Sequence, residues 1–373
     1  MIKLVINGRF LRPNVGRSGV YRVGYELLQS LDAVLLENPS LAAVISCCVL
    51  VPSNCRPDLK LTKIRIVSLG GLSAAMNDTL WEQTVLPWQA RGSTLLNFCN
   101  SGPVIHRDAF TMFHDAQIYS SPASYSRAFR AWYQMIQPLL GSRNRAILTV
   151  SQYSREQLSR YGVVDSSRVH VIHNGCDHVL RQISDDTVVQ TAGLVNKRYV
   201  VALANTQAHK NIGVLFRAFH SDSLCNVTLV LFGTSTRADF EALGHRVPSN
   251  TLFLGRVSDE QLAGLLKRAT ALAFPSLTEG FGLPPLEAMA LGCPTVVSPC
   301  GALPEVCGDA ALWADPHEPE QWVKRIVQLC DEPGHYAEVK ARGLKHAADF
   351  TWKGSAHRLL TTILKTPDTV RSN

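Results

Sequence analysis

Two carboxylates frame the stretch SLTEGFGLPPLEAMALGCPTVVSPCG, residues 276–301: Glu279 and Glu287, with seven residues between them. Gly280, Phe281, Gly282 and Leu283 follow the first, and the pair Pro284–Pro285 precedes the second. The two glycines let the backbone approach a ligand closely and turn its N–H groups toward it. The prolines suit the first turn of a helix, whose N-terminus adds a partial positive charge. That combination suits a phosphate or diphosphate. Glu287 falls in the first turn of the expected helix and has two readings: it complements the helix dipole, or it accepts both hydroxyls of a vicinal diol such as a ribose. Glu279, ahead of the glycines, is placed to take the hydroxyls of a sugar. The pair would then grip a nucleotide sugar at both ends. On these residues alone a plain helix start stands beside that reading.

Other residue types in the chain invite the same question. In INGRFLRPNVGRSGVYRVGYELL, Gly16 and Gly19 permit a tight turn whose amides face a phosphate. His114 and Asp115 fall at a strand end in FTMFHDAQIY, as a structural pair or as ligand contacts. Lys210, in ANTQAHKNIGVLF, directly precedes an expected helix start. A lysine there is electrostatically unfavourable unless an anion is near. Asn174 and Gly175 in HNGCD make a turn, with or without ligand contact.

These positions need elements to carry them. Short, continuously apolar runs read as strands buried on both faces: 2–6, 42–51, 146–150, 169–172, 199–204, 227–233, 251–255, 271–275 and 294–298. Helical patterns fall between them at 19–31, 152–161, 211–220, 259–269 and 285–291. Strand and helix in alternation predict doubly wound α/β domains. The segment 276–283 is then a loop between the carboxyl end of a strand and a helix N-terminus, where open parallel sheets bind ligands. A length of 373 residues is too great for one core. The polar stretch RQISDDTVVQTAGLVNKR, 181–198, marks the boundary. The expected domains are 1–185, 186–349 and a closing helical segment 350–373, with two Rossmann-like domains facing across a cleft.

Composition narrows the function. Net charge is +7, with 18 Lys and Arg against 11 Asp and Glu in residues 1–180 and 19 against 19 in 181–373. The basic first half is expected to meet something anionic. The segment SYSRAFRAWYQMIQPLLGSRNRA, 124–146, mixes arginines with aromatic and aliphatic residues. It reads as an ordinary amphipathic helix or as one lying on an anionic membrane. No nucleic-acid-binding motif is present. Ten cysteines without C-x-x-C or zinc spacing read as reduced thiols of a cytoplasmic protein. The opening residues do not read as a signal peptide, and no apolar run reaches the ~20 residues of a membrane helix.

The stretch EGFGLPPLEAMALGCPTVVSPCGALPEVCGDAALWADP, from Glu279 to Pro316, resembles the E-x7-E region of glycosyltransferase family 4. These are retaining, metal-independent enzymes of the GT-B fold. The resemblance implies that Glu279 contacts donor-sugar hydroxyls and that Glu287 holds the nucleotide ribose. Gly280, Phe281, Gly282 and Leu283 would touch sugar and diphosphate through the backbone. It further implies a donor-sugar contact for His114, a diphosphate contact for Lys210, and the first glycine loop at Gly16 and Gly19. The nucleotide base would lie near Val257. The sequence departs from the family's pattern at Ala204 and His209, where a glycine and an arginine are usual. Positive charge at the diphosphate would then depend on pH or come from elsewhere, with Arg256 a candidate. The resemblance reaches bacterial mannosyltransferases of surface polysaccharide assembly. It implies a nucleotide-sugar donor, GDP-mannose first and UDP-glucose or dTDP-rhamnose as alternatives. It also implies a saccharide acceptor carried on a lipid, no metal and no cofactor, and a cytoplasmic location on the inner membrane face. A nucleotide-sugar epimerase and a non-catalytic sugar-nucleotide-binding subunit remain the rivals from other classes.

Overall fold

The computed structural model describes residues 2–12, 19–52, 55, 59–69 and 76–367. The chain forms two compact units. One runs to Gly175 and resumes at Thr351, and the other spans Cys176–Phe350.

The first unit holds seven strands: β1 (Ile2–Asn7), β2 (Ile45–Pro52), β3 (Arg65–Leu69), β4 (Thr94–Asn97), β5 (Ala109–Phe113), β6 (Ala146–Thr149) and β7 (Val169–Val171). They lie in the order β3-β2-β1-β4-β5-β6-β7. Every pairing is parallel. The second unit holds β8 (Arg198–Ala204), β9 (Val227–Gly233), β10 (Thr251–Gly255), β11 (Ala271–Phe274), β12 (Thr295–Val297) and β13 (Leu312–Trp313). Their order is β10-β9-β8-β11-β12-β13, again all parallel. The apolar runs are continuous because helices cover both faces: all residues of β4, β5, β6 and β11 are buried.

Five helices carry or brace the polar groups of the two sheets: α1 (Gly19–Glu37), α2 (Asp78–Gln89), α3 (Arg127–Arg143), α4 (Leu283–Ala290) and α5 (Trp352–Lys365). Thr351 caps α5 by accepting from the Gly354 amide, and Trp352, Ala356, Leu359, Leu360 and Ile363 form its buried stripe. This closing helix packs against α1 in the first unit.

The units divide earlier than the expected boundary at 185. A Cβ on Gly175 would lie 2.2 Å from the Trp352 backbone nitrogen, so the chain is still pinned to the first unit there. Beyond it, the amide of Asp185 donates to Glu260 at 2.9 Å and Asp186 pairs with Arg268. The polar stretch is therefore surface of the second unit. The run 42–51 divides into a helical turn at Pro39–Val44 and then β2. Helices Pro319–Asp331 and Pro333–Ala347, and strands β3, β4 and β13, add to the predicted set.

Candidate functional site

In a parallel sheet the loops at the carboxyl edge diverge where strand order reverses, and a crevice opens there. The reversal falls between β1 and β4 in the first unit and between β8 and β11 in the second. Polar groups gather at both.

In the second unit, β8 leads to a 3-10 turn, Ala208–Lys210, and β11 leads to the loop 275–282 before α4. Lys210 Nζ lies 2.7 Å from Glu279 Oε1, with only 16% and 12% of the two side chains exposed. The ammonium also sits 5.9 Å from the centre of the Phe274 ring. The sequence assigns these residues to diphosphate and sugar separately, and the fold brings them into one ion pair.

The loop that carries Glu279 is tied at several points. Leu277 donates its amide to the His209 carbonyl at 2.7 Å. Asn211, in the left-handed region at φ 52°, donates to the carbonyls of Pro275 and Pro316 at 3.2 and 2.8 Å. Ala302 donates to the Glu279 carbonyl at 3.0 Å. Gly301 has φ 64°, and a Cβ there would lie 2.5 Å from the Glu279 nitrogen. Only glycine satisfies both requirements. Gly282 precedes α4 at φ 118° with Leu303 against it, so its freedom is also used. Phe281 is 5% exposed and packs edge-on to Phe350, so its ring belongs to the core of the second unit. Pro284 and Pro285 have no N–H, so neither can donate to an anion at this helix start.

Glu287 requires a correction. Helix α4 begins at Leu283, so Glu287 lies beyond the first turn, which holds no acidic residue. The helix-dipole explanation therefore lapses. Its Oε1 is instead 3.1 Å from Nε2 of His178.

His209 also differs from expectation. Burial and then neighbouring Lys210 push its pKa below the ordinary range, with Glu279 opposing. The imidazole is neutral near pH 7 and does not replace the arginine usual in the family. At Ala204, the other departure, the close approach to the next strand is kept: a Cβ on Gly233 would lie 2.6 Å from the Ala204 carbonyl oxygen. Val257, half-buried, and Arg256, exposed, stand in the loop after β10, two strands from β8 on the same edge.

In the first unit Asn7 and Asn97 end β1 and β4. The Asn7 amide donates to Glu82 Oε1 at 2.7 Å and to Asn97 Oδ1 at 3.0 Å. Arg9 Nη1 lies 2.8 Å from Glu82 Oε2, and the Ser101 hydroxyl reaches the same carboxylate. Glu82 projects from α2 and is 1% exposed. Sequence reasoning named none of these residues, which lie far apart along the chain.

His114 follows β5 and is 7% exposed. Its Nε2 lies 2.6 Å from the Phe98 carbonyl, which can only accept, so Nε2 carries the proton and Nδ1 is an acceptor. Burial lowers its pKa to about 4. Asp115 accepts from the Gln117 amide and so closes a local turn. Gly16 lies outside the described residues. Gly19 begins α1, exposed, with no atom within 4 Å of a built Cβ. In α3, Ile136 and Leu140 are buried against the sheet while Phe129, Met135 and Leu139 stay exposed.

Residues 186–346 match the glycosyl transferases group 1 family, and residues 105–180 match glycosyltransferase family 4. The O-antigen chain mannosyltransferase B of Escherichia coli is 32% identical over 66% of this chain and 67% of its own length. The O-antigen chain mannosyltransferase RfbU of Salmonella typhimurium is 28% identical over 64% and 66%. A D-inositol 3-phosphate glycosyltransferase of Catenulispora acidiphila is 28% identical over 60% and 57%. Among solved structures, sucrose-phosphate synthase of Thermosynechococcus elongatus superposes with TM-score 0.72 over 98% of this chain and 99% of that one, at 16% identity. HepE of Anabaena, solved with UDP and glucose, gives 0.68 over 98% and 100%, at 17% identity. Two all-parallel domains with these neighbours define a glycosyltransferase of the GT-B fold. The chain belongs to glycosyltransferase family 4. No described helix is long and apolar enough to cross a membrane.

Proposed function

We propose that this chain is a retaining, metal-independent hexosyltransferase. It moves mannose from GDP-mannose to a saccharide acceptor, carried on a lipid, during synthesis of a bacterial surface polysaccharide. The observation that carries the reading is the Lys210–Glu279 pair, held at the reversal point of the second sheet beside the loop amides of Gly280–Leu283. An incoming diphosphate competes for Lys210, and Glu279 is released to accept from the hydroxyls of the sugar. Glu287 takes the ribose diol. As the bond from the anomeric carbon to the diphosphate breaks, Lys210 and the loop amides stabilise the charge left on the nucleotide. The acceptor oxygen bonds to the same face of that carbon, and its proton passes to the departing phosphate. His114, neutral and with Nδ1 as an acceptor, fits a substrate hydroxyl rather than proton donation. The basic α3, with its exposed apolar residues, supports a lipid-borne acceptor at an anionic membrane surface. The mannosyl donor is supported by the O-antigen relatives, and UDP-glucose, with which HepE has also been solved in complex, is the second choice.

The test is a thermal-shift panel of nucleotide sugars with metal chelated, followed by turnover. Stabilisation by GDP-mannose and GDP but not UDP is expected, since a ligand that binds only the folded form raises Tm. Selective stabilisation by UDP overturns the donor and keeps the class. Conversion of the donor without an acceptor favours an epimerase, and binding without turnover a non-catalytic subunit.

A further inference from the structure

The first unit carries a basic cavity of about 490 Å³ between the end of α5 and the starts of β6 and β7. That volume is in the range of small-molecule sites. Arg145, Arg168 and Lys365 line it with His170, Thr361 and Thr362, and no described acidic residue does. Arg145 and Arg168 directly precede β6 and β7, so the cavity opens at the amino edge of the sheet. His114 and the reversal point stand at the carboxyl edge, where open parallel sheets usually bind ligands. The cavity is therefore separate from the polar groups already described in this unit.

Both guanidiniums are fixed in place by the fold. Arg145, with 9% of its side chain exposed, lies over the Phe110 ring at 5.4 Å. Its Nε donates to the Pro367 carbonyl at 3.1 Å, its Nη2 to that of Thr366, and its Nη1 to Asp108 at 3.3 Å. Arg168 Nη1 donates to the carbonyls of Gly141 and Ser142 at 2.8 and 3.0 Å, and its Nη2 to that of Asn144, closing the carboxyl end of α3. A guanidinium has five N–H groups, and these bonds use three of each. Backbone carbonyls accept without cancelling charge. Asp108 offsets Arg145, while Asp165, the carboxylate close to Arg168, is turned to the Ser167 amide and hydroxyl. Lys365, exposed in the last turn of α5, adds a third cation. His170 is kept neutral near pH 7, its pKa lowered by burial first and by Arg155 next, so its ring adds a polar contact and no charge.

A fixed guanidinium presents paired N–H groups that match the oxygens of a phosphate. One phosphate does not fill the cavity, and the two threonine hydroxyls and the imidazole suit a hydroxylated remainder better than an acyl chain. We propose that this cavity is a second ligand site of the chain: it binds the phosphate monoester of a small polyol, with Arg145, Arg168 and Lys365 on the phosphate and Thr361, Thr362 and His170 toward the hydroxyls.

The test is calorimetric titration of the full chain with glycerol 1-phosphate and with inorganic phosphate. Binding of one equivalent is expected, with glycerol 1-phosphate tighter by about threefold or more, the scale of one added hydrogen bond. Lys365→Glu changes an exposed side chain and is expected to weaken glycerol 1-phosphate about tenfold. Arg168→Gln keeps an amide donor for the α3 carbonyls and should weaken it at least as much; if that variant does not fold, Lys365→Glu decides. Lys210→Ala should bind glycerol 1-phosphate as wild type does, because Lys210 stands in the other unit. Binding lost in Lys210→Ala but kept in Lys365→Glu overturns the site and places the anion beside Glu279. Equal affinity for the two ligands overturns the polyol class. Binding to phosphatidic acid vesicles that Lys365→Glu removes, without binding of glycerol 1-phosphate, overturns the soluble ligand in favour of a lipid headgroup. No binding of either ligand overturns the proposal and leaves the proposed function standing.

Discussion

The two sheets place polar groups at equivalent points, where strand order reverses, and build opposite devices there. At the first, Glu82 is sealed from solvent and meets Asn7, Ser101 and Arg9. At the second, Lys210 and Glu279 meet through one contact at 2.7 Å and remain partly exposed. A buried carboxylate with several donors gains rigidity, because any exchange of partners leaves a desolvated group unpaired. An ion pair made through a single contact can trade that partner for an incoming anion, because the anion's charge replaces the one it displaces. The difference divides labour: the first reversal point is built to hold shape, the second to change partners.

Lys210→Ala gives the largest expected departure between the two. Turnover should fall about 100-fold or more, the usual scale for loss of a group that stabilises developing charge. Tm should fall by less than for Glu82→Ala, because Glu279 keeps 12% of its side chain in contact with solvent against 2% for Glu82. The measurement is kcat and Tm on the same preparation. A large fall in Tm with kcat retained in the folded fraction would make the pair a structural brace and erase the contrast.

Glu82→Ala should show the reverse. Removing the carboxylate takes one of two acceptors from the Asn7 amide and the ion-pair partner from Arg9, for an expected loss of about 3 kcal/mol. Denaturant unfolding reads this directly, and nucleotide affinity of the folded protein should be unchanged. Glu82→Gln keeps the volume and part of the hydrogen bonding and should cost less. If Glu82→Ala weakened nucleotide binding while leaving stability intact, the first reversal point would be a binding site rather than a brace.

The same contrast explains which parts of the molecule are legible in its sequence. Loop 275–282, α4 and the turn before it are contiguous, so prolines, glycines and two glutamates can be read together as one site. Continuous apolar runs mark the buried strands for a local reason too. Glu82 cannot be found that way: its partners stand at 7, 9 and 101, joined only when β1 and β4 become neighbours. The expected boundary falls late because a polar stretch marks a surface as readily as a linker, and 185–186 are bonded to the helix Asp259–Arg268. His178 adjoins the turn HNGCD, yet nothing local distinguishes it from a core histidine. Its neighbour Glu287 stands far along the chain.

The last effect, confined to a pH window, concerns His114, which stands in the first unit although the resemblance gives it a substrate role. Its folded pKa is about 4 against an ordinary 6.5, because burial disfavours the charged ring. The unfolded chain therefore binds more protons than the folded one between those values, and stability rises with pH across that window. The contribution is complete above pH 6.5 and is lost progressively as pH falls toward 4, on the order of 3 kcal/mol in all. His114→Gln keeps a donor toward the Phe98 carbonyl without a titrating ring. Unfolding free energies measured from pH 7 to 4 should fall less steeply for the variant than for wild type. His170 and His209, also shifted down, titrate in both proteins, so the difference between the curves isolates His114. Parallel curves would mean that the ring accepts a proton in the folded state. His114 would then be a charge-bearing group like Lys210, and the division between a rigid first site and an exchanging second one would fail at that residue.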